Sequence, residues 1–236
     1  VFSIEVKIFR FAFISIDTLR MKFCLFIFLI LTQTNVMSQP LRYLALGDSY
    51  TIGESVSPHE RWPMILADTL RARGVAIGKP TIIATTGWRT DNLNNGMSSA
   101  RLQNDYDLVS LLIGVNNQYQ GRSSTDYAPE FEGLLKRAIE LARGRKERVF
   151  DVSIPDYGFT PFGQPKQDQI SSAIDQFNRV NKQITDQYGI TYVDITDISR
   201  EGLTDPALVA KDGLHPSGKQ YARWVERIAS SLKIVP

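Results

Sequence analysis

The sequence predicts an α/β protein: a three-layer α/β/α sandwich around a five-stranded, mainly parallel sheet. Three observations carry this expectation. Five short apolar runs rich in Val, Ile and Leu recur at residues 43–46, 81–84, 108–113, 149–154 and 191–195. They are nearly continuous rather than alternating, which is how strands covered on both faces read. Helical patterns lie between them at 61–73, 91–102, 127–143 and 169–188, and a last helix follows Pro216. Such alternation implies right-handed crossovers and a doubly wound order. Finally, polar glycine-containing stretches follow the apolar runs, at the strand ends where open α/β sheets bind ligands.

Taken from the start, residues 1–38 read as a leader. From Met21 the chain runs MKFCLFIFLILTQTNVMSQP, a basic residue, an apolar run from 23 to 31, and a polar stretch with Val36 and Ser38 placed for cleavage. This is a secretory signal pattern, and the run is shorter than the roughly 20 residues a membrane span needs. Residues 1–20 are apolar but broken by Glu5, Lys7, Arg10 and Asp17, which suggests that the true start is Met21. The expectation is an exported protein, periplasmic or extracellular, with a single domain over 39–236; the alternative is an N-terminal membrane anchor. Cys24 opens the apolar run rather than following it, so it is poorly placed for lipidation.

The first strand belongs to 41–54, LRYLALGDSYTIGE, where a buried run stops at Gly47, Asp48 and Ser49. A reactive serine needs a hydroxyl at the end of a rigid strand with backbone N–H groups nearby. Gly47 and Gly53 would supply the turn conformations and the close approach this requires. The same residues also form ordinary turns, and this segment alone leaves both readings open.

Further along, Gly74 and Gly144 stand just past helical runs as C-terminal stops, and Pro216 suits the first turn of the last helix. The stretch 155–166, PDYGFTPFGQPK, holds three prolines and three aromatics, and reads either as a wall over the site or as a rigid connection.

The far end decides between the readings of Ser49. Residues 211–217 read KDGLHPS, with Asp212 three residues before His215, and the chain's other histidine, His59, sits in a Ser-Pro-His-Glu turn without acid or nucleophile patterning. Gly47-Asp48-Ser49 and Asp212-x-x-His215 are similar to the first and last blocks of the GDSL, or SGNH, hydrolases. Gly87 in TTGWRT and GVNN at 114–117 match the two middle blocks, in order, across nearly all of the chain after the leader.

The resemblance implies a flavodoxin-like SGNH fold and a bacterial secreted esterase of the lysophospholipase or acyl-esterase kind. It assigns Ser49 as nucleophile, His215 as its base and Asp212 as the acid that holds the imidazole. It implies an oxyanion hole made of the Ser49 N–H, the Gly87 N–H and the Asn116 side-chain amide, which donates without titrating. One departure is Asn117, where the family usually has Asp. Tyr50, Trp88, Tyr157, Phe159 and Phe162 are expected to line the substrate site, either stacking sugars or forming an acyl slot. The substrate is expected to be a small-molecule or glycan-borne ester, with carbohydrate O-deacetylation as an alternative, and a ligand-binding module without turnover as another.

Composition narrows the field. At 43% hydrophobic and 22% charged, 236 residues suffice for one sizeable core. Without residues 1–38 the basic and acidic totals are 23 each, with no basic run, which argues against nucleic acid as partner. No G-x-S-x-G elbow and no G-x-G-x-x-G occur, and GVAIGKP at 74–80 is one residue short of a phosphate loop. Two histidines and a single leader cysteine leave little to hold zinc, so neither metal nor cofactor is expected.

Overall fold

A computed structural model describes residues 39–234; the leader expected at 1–38 lies outside the described residues. Five strands form one sheet: β1 (Tyr43–Gly47), β2 (Thr81–Ala84), β3 (Leu108–Leu112), β4 (Val149–Val152) and β5 (Thr191–Val193). Their spatial order is β2-β1-β3-β4-β5, and every neighbouring pair is parallel. The chain leaves β1 to one side and later returns to the other, so the crevice beyond the carboxyl end of β1 is the topological switch point. Gly47 pairs in register with both Ala84 and Leu112, which brings three strand ends level there.

The helices are α1 (Ser49–Ile52), α2 (Trp62–Ala72), α3 (Thr90–Ser99), α4 (Val115–Tyr119), α5 (Ser124–Leu141), α6 (Gln167–Tyr188), α7 (Thr196–Ser199) and α8 (Gly218–Ser231). α2 packs on α8 on one face of the sheet, while α5 packs on α3 and α6 on the other. No helix among the described residues is long and apolar enough to cross a membrane.

Burial rather than propensity holds these helices. In α8, Tyr221, Trp224, Val225 and Ile228 recur at helical spacing and are all buried. Each such side chain contributes about 1.5–3 kcal/mol relative to an exposed one. Ser217 caps the helix by accepting from Gln220 N at 3.3 Å, an interaction of about 1 kcal/mol. The cap fixes where α8 begins, and with it the loop carrying His215.

Several boundaries differ from those expected. β5 stops at Val193 because Asp194 turns its carboxylate back to accept from Ser153 Oγ and Thr196 N. α5 starts at Ser124, three residues early, because Ser123 accepts from Asp126 N as a cap. α3 ends at Ser99, and Arg101 beyond it is left-handed at φ 48°. β2 is an edge strand, with Thr81 exposed and Ile82 and Ile83 half-buried, so it is less covered than its apolar run implies. The short helices α1 and α4, directly after β1 and β3, were not foreseen.

Candidate active site

Ser49 is the first residue of α1 and is buried to 5% exposure. Its N–H is one of those an α-helix cannot satisfy itself. The tight turn depends on Gly47: a Cβ there would collide with Thr51 Oγ1 and with the carbonyl oxygen of Leu112. Asp48 caps the turn, its Oδ1 accepting from Tyr50 N at 3.0 Å, while its Oδ2 has no partner.

Complete burial raises the Asp48 carboxyl to about 7, although the backbone hydrogen bonds oppose the shift. Burial likewise pushes Asp151, inside β4, well above the carboxylate range. A carboxyl that binds its proton more tightly when folded contributes stability below its unfolded pKa of about 4, and that contribution is lost as pH rises through the folded value. Stability, read as melting temperature, is therefore expected to fall between about pH 4 and pH 7, by up to about 4 kcal/mol from Asp48. Asp48→Asn should flatten this slope; equal slopes in the two proteins would refute the assignment.

Asp212 and His215 occupy the loop before α8. Asp212 Oδ1 accepts from the backbone N–H groups of Leu214 (2.9 Å) and His215 (3.0 Å), curling the carboxylate back onto its own loop. Asp212 Oδ2 lies 2.6 Å from His215 Nδ1 and accepts from Ser55 Oγ at 2.6 Å. Partial burial pulls this carboxyl upward, but the bonds from Ser55, His215 and the backbone outweigh it and hold Asp212 well below the usual range. The acid therefore stays ionised beside the imidazole. His215 is nearly buried, and its ring packs edge-on to Tyr50 at 5.7 Å between centroids. Ser49 and His215 face one cavity without a direct hydrogen bond, a spacing that typically tightens when substrate binds.

Gly87 and Asn116 complete that cavity. Gly87 has φ 83°, a conformation closed to most other residues. Asn116, on α4, donates one amide hydrogen to the Trp88 carbonyl at 3.0 Å, which ties the Gly87 loop to the loop after β3. Its second amide hydrogen remains for a ligand.

Asn117 is fully buried and points elsewhere. Its Oδ1 accepts from Thr90 N at 3.1 Å and its Nδ2 donates to Thr90 Oγ1 at 2.7 Å, fastening the first turn of α3. The Thr90 hydroxyl then donates to Glu130, which Arg122 also holds. An amide at 117 suits this arrangement: a carboxylate there would compete with Glu130 for the one Thr90 hydroxyl proton.

The cavity measures about 200 Å³. Of the aromatics expected to line it, Tyr50, Tyr157 and Phe162 do. Trp88 and Phe159 do not, which corrects that part of the reading. The Trp88 ring lies over α3, where a Cβ on Gly96 would overlap it, and only its carbonyl serves the site. Phe159 belongs to the 3-10 turn Tyr157–Phe159, whose successive side chains diverge, and sits beneath Arg200 at 5.9 Å. Sequence reasoning missed Thr86, Val115, Tyr119 and Leu214, which also line the cavity. Tyr119 was the most findable, one helical turn beyond Asn116. Among the described residues Tyr119 and Phe162 are the two exposed large apolar side chains, and both stand at this mouth.

A parallel sheet of this order, gathering a serine, a carboxylate-held histidine and a ring of donors at its strand ends, is the architecture of an α/β acyl hydrolase. The chain belongs to the GDSL-like Lipase/Acylhydrolase family, whose sequence profile matches residues 45–223. No curated protein matches it in sequence. Among solved structures it is similar to Axe2, an acetylxylan esterase from Geobacillus stearothermophilus, at 20% identity and TM-score 0.65, covering 84% of this chain and 96% of that one. It is also similar to a member of the lipolytic protein G-D-S-L family from Veillonella parvula DSM 2008, at 18% identity and TM-score 0.61, covering 80% and 97%. The psychrotrophic esterase EstA from Pseudoalteromonas sp. matches at 18% identity and TM-score 0.61, covering 80% and 95%. At these identities the likeness speaks for the fold.

Proposed function

We propose that the protein is an exported serine esterase that hydrolyses carboxylic esters of short acyl groups through an acyl-enzyme on Ser49. The observation that carries this reading is the Asp212–His215 hydrogen bond set at the cavity that Ser49, Gly87 and Asn116 share. His215 takes the Ser49 proton as Oγ attacks the carbonyl carbon, and Asp212 balances the imidazolium. The negative charge on the former carbonyl oxygen is met by Ser49 N–H, Gly87 N–H and the free Asn116 amide hydrogen. The tetrahedral adduct collapses, the alcohol leaves with the proton from His215, and water repeats the sequence to release the acid.

The size and surroundings of the cavity support a short acyl group on a polar alcohol. It is small beside the roughly 300–1,000 Å³ of most ligand pockets. Tyr119, Tyr157 and Phe162 separate it from a second cavity of about 320 Å³ that Gln118, Lys166 and Gln169 also line. Aromatic faces beside amide and ammonium donors suit a polyhydroxylated, sugar-like group better than a hydrocarbon chain. This favours the acetylated-glycan reading over a fatty acyl ester. Export rests on the signal pattern of residues 21–38.

The test combines covalent labelling with a substrate series. A fluorophosphonate should add to Ser49 of the secreted chain, whose mass should begin after Ser38. Turnover should decline from acetyl to octanoyl nitrophenyl esters, and acetylated sugars should be cleaved. An unlabelled protein would indicate a ligand-binding module, and a preference for octanoyl would remove the short-acyl reading.

A further inference from the structure

We propose that Ser55 is a positioning residue for the proposed hydrolysis, its hydroxyl fixing the orientation and charge of Asp212 against His215. The inference rests on the esterase reading above and adds a member that none of the four sequence blocks contains. Ser55 Oγ donates to Asp212 Oδ2 at 2.6 Å, the same oxygen that faces His215 Nδ1 at 2.6 Å, across a separation of 157 residues. With Asp212 Oδ1 held by two backbone N–H groups, every direction of the carboxylate is specified.

The backbone at Ser55 gives a second, independent indication. Its φ is 65°, in the left-handed region, where a side chain is strained and glycine is not. Gly53, two residues earlier, takes the same region as glycine. The loop would thus be more easily made with glycine at 55, and the exposed Ser55 buries no apolar surface in return. Retaining a hydroxyl there at the expense of strain matches the inference that the bond to Asp212 is what the position supplies.

The segment has a wider reach. Glu54, whose N–H bonds to the Ser49 carbonyl at 3.0 Å, accepts from the hydroxyl of Thr86, next to Gly87. The few residues after the nucleophile therefore touch both the loop carrying the acid and base and the loop carrying an oxyanion donor. The ionisable groups that touch the imidazole or share a cavity with it are Asp212 on its own loop, Tyr50 on α1, Tyr119 on α4, and Asp156 and Tyr157 after β4. Asp156 is paired with Arg200 at 2.9 Å, so Asp212 is the carboxylate in contact with the ring.

Ser55→Gly separates this role from a structural one, because it removes the hydroxyl and relieves the strain together. Thermal stability should be equal to wild type or higher, while kcat/KM falls roughly tenfold, the scale of one hydrogen bond to a charged group. Losing a donor makes Asp212 Oδ2 more basic while the backbone still holds Oδ1. The His215 titration, and the acid limb of kcat/KM, should move upward by roughly half a pH unit or more. With two histidines in the chain, the His59→Gln variant assigns the imidazole signals in an NMR titration. Ser55→Ala should show the same shift with the strain retained. A Ser55→Gly protein with wild-type titration overturns the inference, whether its activity is intact or falls with its melting temperature. If the wild-type protein hydrolyses no ester and takes no fluorophosphonate, the esterase reading fails, while the titration still decides the coupling of Ser55 to His215.

Discussion

Replacing Ser49 with alanine is expected to remove ester hydrolysis, lowering kcat by roughly 10⁴-fold or more while the protein stays folded. The side chain is small, stands at the first turn of α1 and makes no hydrogen bond that packing depends on. Cap and close approach belong to Asp48 and Gly47, which the substitution leaves in place. The melting temperature should stay within about 2 °C, less than 1 kcal/mol in a chain of this length. Both quantities are read on one preparation with a nitrophenyl acetate assay and a thermal melt. Turnover at the wild-type rate by folded Ser49→Ala would end the covalent mechanism.

The second large effect separates two adjacent asparagines. Asn116→Ala should lower kcat by roughly 100-fold or more with little change in KM, because its amide acts on charge that develops only in the transition state. Asn117→Ala should instead act on stability. It strips Thr90 N of its acceptor inside the fold, a loss of about 1–3 kcal/mol for a buried group left unsatisfied, and removes the bond that Thr90 Oγ1 accepts while its donation to Glu130 remains. Its folded fraction should keep most of its activity. The reverse pattern, an active Asn116→Ala and an inactive, fully stable Asn117→Ala, would place the oxyanion donor on the wrong residue.

What the sequence disclosed and what it withheld divide along physical lines. β1, β3 and β4 were legible because strands buried on both faces read as nearly continuous apolar runs, interrupted here only by Ser110 and Asp151, and the ends of β1 and β3 were marked by Gly47 and Gly114. Gly114 sits at φ 129° with Tyr127 and Ile154 against it, so its identity records a geometric need. Ser49, Asp212 and His215 were legible through residue type and spacing. Helices of four and five residues were not, since α1 and α4 are too short to show a period. The direction of Trp88 depends on the missing side chain of Gly96, eight residues on, and the Ser55 contact with Asp212 exists only in the folded chain. Phe159 was misjudged because composition names the aromatics of a turn but not which of them faces inward.

The margins of the sheet bear on how the protein behaves among copies of itself. β2 and β5 are its two outer strands, with four and three residues. Such short margins expose few unpaired N–H and C=O groups as a template for a foreign strand. Pro80 directly before β2 has no N–H to offer, and Lys79 beside it adds a charge that an incoming chain would have to bury. At the other margin Asp194 bends the backbone away as β5 ends. The native molecule is thereby guarded against edge-to-edge aggregation, so the hazard moves to the unfolded chain, where the apolar runs of β1 and β3 lie uncovered.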